Sequence, residues 1–312
     1  MNSPQSVNFD SRGITLVGHL YTPPPSAPNR NKAAIVIGHP FGGVKEQTSG
    51  LHAKQLADAG FVTLAFDAAY NGESGGSPRN LEDPFQRAED FRNAVSYLTT
   101  LKNIVDPERI GALGICASGG YVSFAAQSDP RMRAVATVSA ACFGDITRNG
   151  NKGDPAAGMP AEQFAGLLKM SADARTSVAA GEEPQRLQHL PDDRTKMPPG
   201  LSPTGMASEA WDYYKTPRGQ NPRSTQHETI WGLGLRANYD SFAFNYLISP
   251  RPLLMVAGEN ADTRYQSEGA IERAKEPKEL YLVPRQTHVG LYDHTDGHMP
   301  KLIDFMAEHL CG

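Results

Sequence analysis

Cysteine is scarce in this chain, with three among 312 residues. Three thiols cannot make a disulfide framework, and an odd count fits a reducing compartment, so a cytoplasmic location is expected. An excess of charge of one sign is missing too. Thirty Lys and Arg stand against 34 Asp and Glu, a net of −4, which excludes a polybasic nucleic-acid binder and gives no grip on an anionic membrane surface. No apolar run approaches the roughly 18 residues needed to cross a bilayer. The N-terminus from Met1 to Asp10 is polar and has no apolar signal core, so export is not expected. Internal repeats and low-complexity tracts are also lacking. What is there is a globular composition, 39% apolar, in a chain long enough for a substantial core.

Strand-like and helical segments alternate along most of the chain. Residues 7–10 and 14–21 read as a hairpin around Ser11, Arg12 and Gly13. Residues 33–38 form a continuous apolar run of the kind buried on both faces. A helix over 47–60, a strand at 61–66, a helix over 85–101, a strand at 109–113, a helix over 119–127 and a strand at 134–139 follow. After a long interval come a strand at 252–257, a helix over 265–274, a strand at 280–283 and a helix over 300–310. This order predicts an α/β fold with a mostly parallel eight-stranded sheet and helices on both faces.

The interval, residues 142–246, has no buried-strand pattern. It carries both tryptophans, a proline-rich stretch from Pro184 to Pro203 and a helical segment over 160–180. A structureless loop of that length is improbable in a compact domain, and the aromatic content argues against disorder. It is expected to be an inserted helical cap or lid over the carboxyl ends of the strands, on a core made of residues 1–141 and 247–312.

The strongest chemical signal is Gly114-Ile115-Cys116-Ala117-Ser118-Gly119-Gly120, where a strand runs directly into a helix. This is the layout of a nucleophile elbow, usually Gly-x-Ser-x-Gly, with Cys116 at the centre. The turn forces strained dihedrals, so its flanks must be small, as Gly114, Ser118 and Gly119 are. A thiol at a helix N-terminus is expected to lean towards the thiolate. Ser118 falls in the first helical turn, where capping is its expected task. The plainer reading of Cys116 is a small buried residue in a tight turn.

A base and an orienting acid would follow in the order acid, then base. Asp262 lies on the loop after the strand at 252–257, and His288 on the loop after the last strand. Asp262 would hold the imidazole tautomer and His288 would take the thiol proton. Glu259 is the competing acid. For the oxyanion, the loop His39-Pro40-Phe41-Gly42-Gly43 supplies one donor. Pro40 has no N–H, which leaves Phe41 or a later residue, with Ala117 as the second donor. His39 is expected to pack or orient this loop rather than act as a second base. Tyr70, Trp211 and Trp231 are the expected substrate contacts.

Other patterns point nowhere. Gly232-Leu233-Gly234 follows no strand, and His227-Glu228 lacks a second histidine. His288, His294 and His298 with Asp293 and Asp296 count like a metal set, but Gly297 and Pro300 keep a regular helix from presenting His294 and His298 together. No metal and no cofactor is expected, and Cys142 and Cys311 read as structural.

With these residues in view, the chain resembles the α/β-hydrolase superfamily over nearly its full length, the 142–246 interval excepted. Gly-Ile-Cys-Ala-Ser-Gly-Gly resembles its dienelactone-hydrolase-like branch, which places a cysteine at the elbow. The blocks from Gly38 to Gln47, from Ala261 to Tyr265 and from Thr287 to Asp293 are similar to a subgroup that includes fungal polyketide transferases and thiohydrolases. The resemblance implies Cys116, Asp262 and His288 as a triad, and acyl hydrolysis or transfer as the chemistry. Dienelactone hydrolases proper are shorter, have glycine where Ser118 stands and lack so long a cap, so their substrate is not carried over.

Thiol chemistry narrows the substrate independently. A thiolate is a good leaving group, so its adduct with an amide reverts, whereas a thioester, enol lactone or aryl ester carries a leaving group at least comparable. Such activated esters are the expected substrates. A medium-sized, partly apolar acyl group would suit an aromatic cap. The expected partner is this small-molecule acyl substrate, with neither nucleic acid nor membrane, and a homodimer is admitted. The rival readings are a serine esterase using Ser118 and a non-catalytic ligand receptor on the same scaffold.

Overall fold

The computed structural model describes residues 3–153 and 159–312. Residues 1–2 of the expected core and 154–158 of the expected cap lie outside the described residues. Strands β1 (Gln5–Ser11) and β2 (Ile14–Tyr21) form the hairpin. Strands β3 (Ala34–Gly38), β4 (Val62–Phe66), β5 (Ile110–Ile115) and β6 (Ala134–Val138) follow, alternating with helices α1 (Thr48–Asp58), α2 (Pro84–Thr100) and α3 (Ala117–Ala126). The apolar runs read from the sequence correspond to strands buried at every residue, β3 to β6, while β1 alternates exposed and buried positions as an edge strand does.

In the next hundred residues come α4 (Phe143–Asn149), α5 (Ala161–Ala179), β7 (Arg186–Gln188), α6 (Met206–Lys215), β8 (His227–Thr229) and α7 (Gly232–Ala237). This stretch is not helical throughout: β7 and β8 make a small antiparallel ladder of their own, too short to announce itself by periodicity. The chain then returns to the main sheet with β9 (Leu253–Gly258), α8 (Arg264–Arg273), β10 (Lys278–Val283), α9 (Gly290–Asp293) and α10 (Met299–Cys311).

The main sheet has eight strands in the order β1-β2-β4-β3-β5-β6-β9-β10, with β2 antiparallel to both neighbours and every other pair beyond it parallel. Helices cover both faces. A Cβ added at Gly111 would meet Leu310 and Met306 of α10, whereas one added at Gly114 would meet the start of α3; odd and even positions of one strand point to opposite faces. The parallel strands end together, so the loops after β3, β5, β9 and β10 converge. The segment between β6 and β9 is fastened over them. Arg218 makes a two-pronged ion pair with Asp293, at 2.7 and 2.8 Å, and Ser224 Oγ and Gln226 Nε2 donate to Gly42 O at 2.6 and 2.9 Å.

Candidate active site

The β5–α3 junction holds Cys116 at φ 56° and ψ −119°. A side-chain-bearing residue in this left-handed region costs about 1–3 kcal/mol and persists only where its surroundings impose it. Here Cys116 N–H donates to Val138 O at 2.9 Å, and Cys116 O accepts from Gly119 N at 2.8 Å and Ala141 N at 3.0 Å. A Cβ at Gly114 would come within 2.0 Å of Ser118 O, so the tight turn excludes any side chain there. The sulfur faces the Tyr292 hydroxyl and the backbone N–H groups of Ala117 and Phe41, the two expected oxyanion donors. Burial works against the expected lean towards thiolate. Cys116 is 3% exposed, and burial, outweighing these three hydrogen-bonding groups, pushes the thiol up to about 11.

Ser118 does not cap α3. Its hydroxyl donates to His39 O at 2.6 Å and accepts from Arg87 Nη2 at 3.2 Å. It is thereby committed to the β3 loop, and the cap position belongs to Cys116. His39 packs in the same network. Its Nδ1 donates to Pro40 O at 2.7 Å, while Nε2 accepts from Ala68 N at 3.1 Å and Arg87 Nη1 at 3.0 Å. With both ring nitrogens engaged, and with burial and Arg87 holding it well below its ordinary range, His39 has no lone pair for a proton. Arg87 also donates Nη2 to His39 O at 2.8 Å, so one buried guanidinium fixes the loop that carries the Phe41 N–H.

His288 is fully buried. Ser139 Oγ donates to its carbonyl at 2.8 Å, and burial drives its imidazole down to about 3. Its Nδ1 lies 2.5 Å from Thr263 Oγ1, and its Nε2 3.3 Å from the Tyr292 hydroxyl. The partner at Nδ1 is therefore Thr263 and not Asp262, which corrects the expected pairing. The Asp262 carboxylate instead accepts through Oδ2 from Met206 N, at the start of α6, at 2.9 Å, and from Asn151 Nδ2 at 2.7 Å. A carboxylate at a helix N-terminus meets unpaired N–H groups and the positive end of the helix dipole, which is what turns it away from the imidazole. Asp262 and Glu259 line a polar cleft of about 630 Å³ that, among the described residues, shares none with the cavity at Cys116.

That second cavity, about 530 Å³, opens on Cys116 and Tyr292. Its wall is mostly apolar, including Phe41, Phe143, Ile146, Leu167, Leu190 and Met206, so the segment between β6 and β9 roofs the thiol. The three expected substrate contacts do not line it. Trp211 gives its Nε1–H to Pro191 O at 2.8 Å and lies beneath Arg194. Trp231 precedes α7 with Arg175 over its ring. Tyr70, at φ 70°, packs its ring against Gly76.

Sequence reasoning missed three residues around His288. Tyr292 stands four positions after it, one helical turn on, a spacing that brings two side chains to one face. Thr263 adjoins the expected acid. Glu209 on α6 carried no signal at all; its carboxylate accepts from Thr287 Oγ1 at 2.7 Å and Val289 N at 3.2 Å, on either side of the histidine. Burial raises the Glu209 carboxyl above its usual range. The candidate metal set is dispersed: His298 Nε2 faces His52 Nε2 at 3.0 Å, and among the described residues no group of three or more metal-binding side chains is gathered. Cys142 Sγ accepts from Asp145 N and Ser241 N at 3.4 and 3.3 Å. Among the described residues no helix is long and apolar enough to cross a membrane.

A family model for the dienelactone hydrolase family matches residues 18–151, which hold β3, the elbow and α3. YcjY of Escherichia coli (strain K12) is 39% identical over 94% of this chain and 92% of its own length. The chain belongs to the dienelactone hydrolase family. It is an enzyme of the α/β-hydrolase fold, within a group of hydrolases and acyltransferases. The crystal structure of PA2218 from Pseudomonas aeruginosa superposes with a TM-score of 0.88 at 38% identity, covering 98% of this chain and 93% of that one. The polyketide transferase grgF of a Penicillium species is 26% identical over 96% of this chain and 94% of its own. This dienelactone hydrolase family member thus shares its full-length architecture, the segment over the elbow included, with PA2218.

Proposed function

We propose that the protein is a cysteine-dependent acyl hydrolase or acyl transferase acting on activated esters, namely thioesters, enol lactones or aryl esters. The observation that carries this reading is the surroundings of the Cys116 sulfur. It has two backbone N–H groups on one side, a tyrosine joined to a buried histidine on another, and an apolar cavity in front. Cys116 forms a bond from sulfur to the acyl carbon as its proton passes to Tyr292, whose own proton moves to His288 Nε2. Nδ1–H of His288 then donates to Thr263. The Phe41 and Ala117 N–H groups hold the oxyanion. Collapse expels the thiolate or oxide leaving group with the returning proton, and water or a second acceptor opens the acyl-thioenzyme by the same route in reverse.

A protonated resting thiol agrees with activated substrates. The hydroxyl of Thr263 stabilises an imidazolium less than a carboxylate would, so proton removal and attack have to be concerted, which demands an electrophilic carbonyl and a good leaving group. The name of grgF supports acyl transfer as one outcome. The test combines intact-protein mass spectrometry after iodoacetamide with turnover of acyl thioesters and p-nitrophenyl esters. Wild type, Cys116→Ala, Ser118→Ala and His288→Ala are compared. Cys116→Ala is expected to lower kcat/KM by about 10⁴-fold, and His288→Ala to slow both labelling and turnover. An active Cys116→Ala beside an inactive Ser118→Ala would overturn the proposal.

A further inference from the structure

One hydroxyl beside the thiol takes part in no hydrogen bond. Tyr214, on α6, is 6% exposed and lines the cavity that opens on Cys116. Its Oη is buried and has no hydrogen-bond partner among the described residues. A buried polar group left unpaired is unfavourable and correspondingly rare in folded proteins. It stands beside the Tyr292 hydroxyl and the Cys116 sulfur, and it faces the first without closing a bond of ordinary geometry. Its neighbours fix this placement. Glu209, on the same helix, bonds to the residues on either side of His288. Tyr213 packs edge-on against both Tyr214 and Tyr292, with ring centres 5.0 and 5.3 Å apart. Helix α6 thus brings Tyr214 to the thiol and holds it there.

The proton path creates a need for a donor at this point. Tyr292 Oη lies 3.3 Å from His288 Nε2 and faces the Cys116 sulfur. In passing its own proton to the imidazole while taking the one from sulfur, it carries partial negative charge on oxygen. Burial above all keeps the Tyr292 hydroxyl well above its ordinary range, so that charge is costly unless a donor meets it. Burial also holds Tyr214 well above its ordinary value, and a tyrosine that keeps its proton is a donor. We propose that Tyr214 is a positioning residue whose O–H closes on Tyr292 Oη and steadies the charge there while the proton moves from Cys116 to His288. Tyr214 keeps its own proton throughout, so the balance of the acyl-transfer step is unchanged. The inference rests on the proposed function in taking Tyr292 to be the relay between thiol and imidazole.

Single and double variants read the relay directly. Wild type, Tyr214→Phe, Tyr292→Phe and the double variant are compared in turnover of the octanoyl thioester of N-acetylcysteamine and in the rate of Cys116 alkylation by iodoacetamide. Tyr214→Phe is expected to lower both kcat and the alkylation rate about tenfold, with KM within about twofold. Its melting temperature is expected not to fall, since the hydroxyl removed had no partner. Added to Tyr292→Phe, the same substitution is expected to change neither rate by more than about twofold. Alkylation and turnover as fast in Tyr214→Phe as in wild type overturn the proposal. So does a loss that persists in the Tyr292→Phe background, or one that comes with a lower melting temperature or a raised KM, because packing alone would explain it. The two ideas fail separately. Wild-type turnover that Tyr214→Phe leaves intact sinks the role of the tyrosine and leaves the acyl chemistry standing. Alkylation that depends on Tyr214 only through Tyr292, in a protein that turns over no ester or thioester, sinks the acyl chemistry and leaves the tyrosine pair.

Discussion

The floor and the roof of the site are built by different means. On the floor, Cys116, Ala117 and Phe41 are placed by the sheet: parallel strands end together, and the groups gathered there are backbone N–H donors and one thiol at a forced turn. On the roof, α6, α7 and the β7–β8 ladder are held down by side chains, through Arg218 to Asp293, Ser224 and Gln226 to Gly42, and Glu209 to the His288 loop. Topology dictates the first and individual contacts the second. The floor therefore follows from the fold, while the roof depends on residues with no motif. His288 stands where the two meet, with Thr263 of the core at Nδ1 and Glu209 of the roof bonded to both its neighbours.

The sharpest way to break this division is at Tyr292. Tyr292→Phe keeps the ring packed against Tyr213, now 5.3 Å away, and removes only the hydroxyl between thiol and imidazole. A fall in kcat of about 10²–10³-fold is expected, with an unchanged melting temperature as the control; near-normal turnover would mean that Cys116 and His288 exchange a proton without it. A second experiment sets Thr263→Val against Asp262→Asn. The valine is expected to lower kcat about tenfold by freeing the imidazole to rotate. The asparagine leaves kcat near normal but weakens the seat of α6 by about 0.5–1 kcal/mol, read as faster proteolytic nicking between β6 and β9. An inactive Asp262→Asn beside an active Thr263→Val would place the acid on the floor after all.

Acid should separate the regions next. His39, His52, His288 and His298 are buried and held neutral, each depressed below its ordinary value by burial first. The unfolded chain thus binds more protons than the folded one below pH 6.5, and stability falls as the pH drops from there towards 3. Asp90, raised to about 6 by burial, acts in the opposite direction between about pH 4 and 6 and offsets one histidine. None of the four lies on the roof, so urea midpoints should fall with acid for the whole fold, and His298→Asn should flatten the dependence by about 1.4 kcal/mol per pH unit. A midpoint flat from pH 7 to 4 would refute this. The smallest effect is expected from Trp211→Phe and Trp231→Phe. Neither ring lines the cavity, and KM for an acyl thioester should move by less than about twofold.

The same division sets what could be read without coordinates. The strands were legible because burial on both faces leaves unbroken apolar runs, and the elbow because Gly114 tolerates no side chain. His288 and the Phe41 loop followed from chain order. That Asp262 turns from His288 was not legible, because sequence marks the loop that carries a carboxylate and not the direction it turns, and the N-terminus of α6 is an attraction invisible before the roof is folded. Tryptophans were poor guides to the cavity since large rings also serve as packing for arginines, as Arg175 and Arg194 use them.

The protonated, enclosed state of Cys116 also bears on survival under oxidative stress. Peroxide attacks thiolates, and a cysteine that rests as a thiol with 3% of its surface exposed is a poor target on the path to sulfenic acid. Of the three free thiols Cys311 is the least enclosed, so oxidant should be consumed at the far end of α10 before it reaches the elbow. Burial thus shields the sulfur at the elbow and leaves Cys311 as the more accessible thiol.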